Sequence, residues 1–166
     1  MNNLYLLCGK PGCGKTTLAT AMREKFGMVH FSADNFMLKL FGEIEDRKIF
    51  DEKLKACKDV IYEISEQLLS AHDVVLDFGF WTKEERNYIK DLFKNRNVIL
   101  VYMKLDDEKI FSQITNRNNN LKENEYFMDR PTYDFLSAKF EEPTEDENPI
   151  IYTNFDELAQ VIIRNK

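Results

Sequence analysis

Cysteine is scarce in this chain of 166 residues. Cys8, Cys13 and Cys57 are odd in number and stand at neither paired nor metal-ligand spacing, which argues against a disulfide framework or a thiolate metal site. Histidine is scarcer: His30 and His72 have no cysteine or carboxylate at ligand spacing, so they read as a sheet neighbour and a helix-end residue rather than zinc ligands. No apolar run exceeds six residues, far short of the ~20 needed to cross a bilayer. The start Met1-Asn2-Asn3-Leu4-Tyr5 lacks the basic stretch and apolar run of a signal peptide, and a cytoplasmic protein with reduced thiols is expected. Positive charge is also in deficit. Lys and Arg number 23 against 29 Asp and Glu, a formal charge of -6, and no basic stripe interleaved with aromatics occurs, so nucleic acid and anionic lipid are not expected partners. Any phosphate site must then be a local device.

What is present is a core: 43% of the residues are apolar, enough for one domain over residues 1–166. Strand-length apolar runs alternate with stretches of helical period, the pattern of an α/β protein with a mostly parallel sheet. Strands are expected at Leu4 to Cys8, Met28 to Phe31, Val74 to Asp77, Asn97 to Lys104 and Ile150 to Tyr152. Helices are expected after the first glycine-rich turn (Leu18, Met22 and Phe26 on one stripe, Gly27 ending it), over 34 to 41, and from Asp46 to Ala71. Others are expected from the capping box Thr82-Lys83-Glu84-Glu85 to about Asn95, over Asp106 to Arg117, after Pro131, and from Asn154 with Glu157 onward. Asn116 to Asn120 is polar and aperiodic, a candidate mobile segment, and Glu141 to Glu147 reads as a solvated acidic loop or one lying near a cationic substrate.

The strongest signal is Gly9-Lys10-Pro11-Gly12-Cys13-Gly14-Lys15-Thr16, a complete G-x-x-x-x-G-K-[ST] string between an expected strand and an expected helix. Its glycines let successive N–H groups turn inward at the positive end of a helix, making an anion nest that suits a polyphosphate. Lys15 can set an ammonium against the β and γ oxygens, Thr16 can offer a hydroxyl to Mg²⁺, and Thr17 can bond an α-phosphate oxygen. Cys13 is either a small filler or a thiol activated by the helix N-terminus.

Ligands of open α/β sheets sit beyond the carboxyl ends of the strands, so the residues there come next. Asp77 stands where a carboxylate would order Mg²⁺, or where it would simply cap the next turn. Asp34 can take the proton of an acceptor hydroxyl, with Ser32 as a lesser participant, or N-cap residues 35 to 41. Phe80 and Trp81 are either walls of an acceptor pocket or plain core, and Gly79 permits close backbone approach. Arg117, at a helix end, suits a lid arginine aimed at the transferring phosphoryl group, or a cation complementing the helix dipole. Arg86 and Arg130 are weaker candidates, expected at the solvated surface.

With these residues in view, the chain resembles the small P-loop kinases of the polynucleotide kinase, zeta toxin and chloramphenicol phosphotransferase type, often labelled AAA-domain ATP-binding proteins. The matching pieces are Gly9 to Thr16, Ser32-Ala33-Asp34, Val74 to Trp81 with Arg86, Arg117-Asn118, and Phe140-Glu141-Glu142-Pro143 with Glu147. The resemblance implies a three-layer P-loop NTPase fold whose five-stranded parallel sheet has the order 2-3-1-4-5, with a small lid over roughly 115–131. It implies ATP on the cradle formed by Gly9, Lys10, Pro11, Gly12, Cys13, Gly14, Lys15, Thr16 and Thr17, an acceptor hydroxyl near Asp34, and Arg117 as the lid arginine. Gln113 stands where similar proteins often carry a second arginine, and Arg130 is the candidate to replace it. The expected function is an ATP- and Mg²⁺-dependent kinase acting on a hydroxyl of a small-molecule or nucleotide-like acceptor, with Lys15, Asp34 and Arg117 catalytic and Thr16 and Asp77 holding the metal. The alternatives are a nucleotide-binding switch or slow NTPase working through a protein partner and, disfavoured by the acidic balance, a polynucleotide 5′-hydroxyl kinase.

Overall fold

The computed structural model describes residues 2–122 and 125–164. Its centre is the apolar run Leu4 to Cys8, which lies in β1 (Asn3–Cys8) with every residue buried. Successive strand side chains point to opposite faces, so a strand apolar throughout needs cover on both. Leu4, Leu6 and Cys8 enter one core layer with Ile61, Tyr62 and Ile89, while Tyr5 and Leu7 enter the other with Leu18, Met22, Ile110 and Leu158.

The elements that supply this cover are α1 (Lys15–Phe26), β2 (Val29–Ser32), α2 (Ala33–Phe41), α3 (Arg47–Leu68), β3 (Val74–Gly79), α4 (Lys83–Leu92), β4 (Asn97–Tyr102), α5 (Asp107–Asn118), α6 (Arg130–Ser137), β5 (Ile150–Ile151) and α7 (Phe155–Arg164). All strand pairs are parallel and the order is β2-β3-β1-β4-β5, as expected. Because the strands run one way, their carboxyl ends share an edge, with Ser32 beside Asp77 and Cys8 between Gly79 and Tyr102. Among the described residues no helix is long and apolar enough to cross a membrane.

Several boundaries differ from the pattern in the sequence, for local reasons. β3 runs two residues past Asp77 because the Gly9 N–H bonds the Gly79 carbonyl at 3.1 Å. The cap of α2 is Ser32, whose hydroxyl accepts from the Asn35 N–H at 3.4 Å, so Asp34 lies inside the first turn and does not cap it. Thr82 caps α4 as expected, but the Glu85 carboxylate reaches past it to the Trp81 N–H at 3.1 Å, so the box is not reciprocal. The acidic stretch near residue 145 contains a 3-10 turn, Glu145–Glu147.

Candidate phosphoryl-transfer site

Between β1 and α1 the loop turns back on itself, and Gly14 begins the helix as a cap without a side chain, leaving first-turn N–H groups facing the loop. Gly12 has φ 79°, and a Cβ there would run into the Ile114 side chain, so α5 packs directly against the loop backbone. Lys15 folds over the loop: its Nζ donates to the Gly9 and Lys10 carbonyls at 3.1 and 2.8 Å and sits 3.7 Å from the Cys13 sulfur. Cys13 is buried in the core layer beneath, which agrees with the filler reading. Lys10 points away from the nest and pairs with Asp107 at 2.6 Å.

The first residue of the helix proper that faces the sheet edge is Thr16, whose hydroxyl donates to Asp77 Oδ2 at 2.5 Å. Asp77 is buried, and His30 Nε2 lies 3.8 Å from the same oxygen, buried and without a hydrogen-bond partner among the described residues. A hydroxyl and a carboxylate side by side are hard oxygen donors that fit Mg²⁺, a cation that takes its remaining ligands from waters and phosphate. Among the described residues no group of three or more His, Cys, Asp or Glu forms a protein-only metal cage.

Asp34, in the first turn of α2, is exposed, and among the described residues no ion pair or hydrogen bond engages its carboxylate. Desolvation by the protein around it and the charge of Asp77 push its carboxyl above the usual range, opposed by Lys15, Lys58 and Arg117. Two carboxylates and three cations therefore share one electrostatic neighbourhood at the sheet edge.

Arg117 reaches this neighbourhood from the end of α5. Its Nη2 donates to the Tyr126 carbonyl at 3.1 Å, and its buried Nε has no partner among the described residues. The next residue, Asn118, donates to the Met128 carbonyl at 2.7 Å and accepts from the Met128 N–H at 3.3 Å, pinning both ends of the intervening segment. Positions 123 and 124 of the expected lid lie outside the described residues. Desolvation by burial, then the charges of Asp34 and Glu43, push the Tyr126 phenol up to about 12.

This assembly of a glycine-loop nest, an invading lysine and a strand-end Thr–Asp pair agrees with what comparison of sequences finds. A family model described as "AAA domain" matches residues 4–143. The chain belongs to this AAA domain family. No curated protein matches its sequence. Among solved structures, the domain is similar to a candidate kinase of Chloroflexus aurantiacus, with a TM-score of 0.77 and 13% identity over 99% of this chain and 95% of that one. It is similar to Kti12 of Chaetomium thermophilum, solved with ADP-AlF3, with a TM-score of 0.66 and 18% identity over 95% and 92% of the two chains. A gluconokinase of Sinorhizobium meliloti matches with a TM-score of 0.66 and 15% identity over 95% and 87%. These likenesses show that the AAA domain has the three-layer P-loop NTPase fold.

Three expectations are corrected. Arg86 is not a solvated surface residue: it is fully buried, forked onto Glu147 at 2.6 and 3.0 Å, and it donates to the Phe80 and Glu141 carbonyls at 3.0 and 2.9 Å. That fork explains the acidic stretch, which is not a free solvated loop. Glu147 is buried on Arg86, Asp146 pairs with Lys83 and Glu142 with Lys104, and Glu141 accepts from the Lys83 N–H. Arg130 does not replace the missing lid arginine, because Glu108, Asp134 and the Phe111 ring hold it on α5 and α6. Phe80 is core, held at φ 45° by the bonds to its carbonyl, while the Trp81 indole lies over Gly79, where a side chain would collide with it. Lys58 and Tyr126 went unread in the sequence. The first sits on the polar face of an amphipathic helix and the second in an aperiodic stretch, and neither setting carries a spacing signal.

Proposed function

We propose that this AAA domain is an ATP- and Mg²⁺-dependent kinase that transfers the γ-phosphoryl group to a hydroxyl of a small-molecule or nucleotide-like acceptor. The observation that carries this reading is Asp34, an exposed carboxylate without an ionic partner among the described residues, whose charge is felt together with those of Asp77 and Lys15. A nucleotide switch has no use for such a group, whereas phosphoryl transfer to an alcohol needs an oxygen to orient the nucleophile and take its proton. The likeness to a gluconokinase supports the same reading.

In the proposed site the backbone N–H groups of residues 9 to 17, Pro11 excepted, cradle the triphosphate. Lys15 leaves the Gly9 and Lys10 carbonyls for the phosphate oxygens, which compensate it better than neutral carbonyls do. Thr16 and Asp77 are the residues that would hold Mg²⁺, which when bound neutralises charge on the phosphates. Asp34 accepts the hydroxyl proton as the acceptor oxygen bonds to the γ-phosphorus and the bond to the β,γ-bridging oxygen breaks, releasing ADP. Arg117, at the head of a lid spanning residues 115–131, offers its guanidinium to the charge that develops on the phosphoryl oxygens. The whole chain acts as one kinase domain.

The test is ADP release across a library of hydroxyl compounds. At least one compound should raise turnover above the water background, and Asp34→Asn should lower that stimulated rate by ~10²–10⁴-fold while ATP affinity stays. Asp34→Asn with undiminished transfer removes the proposed base.

A further inference from the structure

Side chains alternate along β2. Val29 and Phe31 pack into the core layer of α3 and α4, so His30 between them turns to the opposite face of the sheet, where it stands in register with Val75, two residues before Asp77. The His30 side chain is only 10% exposed, and its Nε2 is buried with no hydrogen-bond partner among the described residues. Asp77 Oδ2 lies 3.8 Å away, too far for a direct hydrogen bond, and already accepts from the Thr16 hydroxyl at 2.5 Å. Buried polar atoms are almost always satisfied, and an apolar ring of the same shape would fill this place without leaving one unpaired. The orphaned nitrogen therefore points to a partner that arrives with a ligand.

The geometry narrows what that partner is. Two acceptors 3.8 Å apart can share one water at an ordinary hydrogen-bond length of about 2.8 Å from each. The Thr16–Asp77 pair gives a water reason to be there, because these are the oxygens assigned above to Mg²⁺, a cation that dehydrates reluctantly and keeps several of its waters. A water bound to the metal through its oxygen has two protons to give. A carboxylate oxygen and an imidazole nitrogen with a free lone pair are both able to take one.

We propose that His30 is a positioning residue of the metal site: its Nε2 accepts a hydrogen bond from a water of the Mg²⁺ shell whose other proton goes to Asp77. This rests on the metal assignment within the kinase reading and deepens it. The strand-end Thr–Asp pair supplies the oxygens, and a histidine from the neighbouring strand fixes the water they share.

The test reads metal binding rather than turnover. Mn²⁺ takes the same oxygen and water ligands as Mg²⁺, and its unbound form is counted by electron paramagnetic resonance as it is titrated into the protein saturated with β,γ-methylene-ATP. His30→Phe should weaken Mn²⁺ binding to that complex about tenfold, the effect of losing an outer partner of a metal ligand, and leave the affinity for the analogue in EDTA unchanged. Its melting temperature should hold or rise, because the Nε2 it deletes has no partner among the described residues. His30→Gln keeps an acceptor near the place of Nε2 and should recover most of the loss, whereas His30→Asn is too short and should not. Unchanged Mn²⁺ affinity in His30→Phe, or His30→Gln no better than His30→Asn, overturns the inference and leaves the kinase reading standing. So does a metal-free nucleotide affinity that falls by the same factor as the metal affinity, since the ring would then only shape the fold. Mn²⁺ held by the wild-type complex no more tightly than by the free analogue overturns the metal assignment itself.

Discussion

What suits Asp34 to the proposed role of base also makes it costly to the fold. Desolvation and the negative charge of Asp77 raise its carboxyl above the usual range, so the folded chain holds its proton more tightly than the unfolded chain does. Between the unfolded and the raised folded value the native state binds more protons, and its stability falls as pH rises through that window. Asp34→Asn removes the ionised form. Its melting temperature should therefore exceed that of the wild type at neutral pH, and the gain should vanish when pH is lowered below the ordinary aspartate range. A variant less stable than wild type at neutral pH would show that the carboxylate is compensated after all. Activity has the opposite sign: the acid limb of the rate profile should lie above that of an ordinary aspartate. At this scale Lys15, Thr16 and Asp77 were legible because a fixed string and a strand end define them. Which residue caps α2 was not legible, since Ser32 and Asp34 are both good caps and only the backbone decides that Ser32 takes the role.

Among the elements, the segment after β3 shows how the site is kept in shape. Phe80 sits at positive φ with its carbonyl bonded by Arg86, and Arg86 in turn is forked onto Glu147, so the turn that follows the Asp77 strand is tied to the far end of the chain. Burial alone would raise the Glu147 carboxyl, but hydrogen bonds from Arg86 and from the Thr144 N–H hold it below its usual value. Removing one partner of such a pair leaves a buried charge alone, at a cost of ~3–5 kcal/mol. Glu147→Gln is expected to lower the melting temperature on the order of 10 °C for a chain of this size. A shift within a degree would mean the fork is ornamental to the turn. The strands and most helices were readable from period and caps. This tie was not, because 61 residues separate its partners and a lone arginine followed much later by an acidic run has no pattern distinct from surface charge.

Over the whole molecule a charge of -6 and a polyphosphate ligand are at odds, and the fold reconciles them locally. Loop amides, a helix start and Lys15 gather at one sheet edge, and the carboxylates beside them are those that metal and acceptor would use. The cradle is the most readable part of the chain because its chemistry is mostly backbone, which glycines specify directly. The proposed acceptor side is the least readable, since the residues whose charges act on Asp34 or feel it come from α3 (Lys58) and the stretch after α5 (Tyr126) without shared spacing. Isothermal titration calorimetry with ATP and magnesium tests the centre of this account. The folded wild type should bind one nucleotide per chain, and Lys15→Ala should weaken that binding on the order of 10²-fold or abolish it. A folded wild type that gives no binding heat at several temperatures, or a Lys15→Ala variant that binds as tightly as wild type, would contradict it.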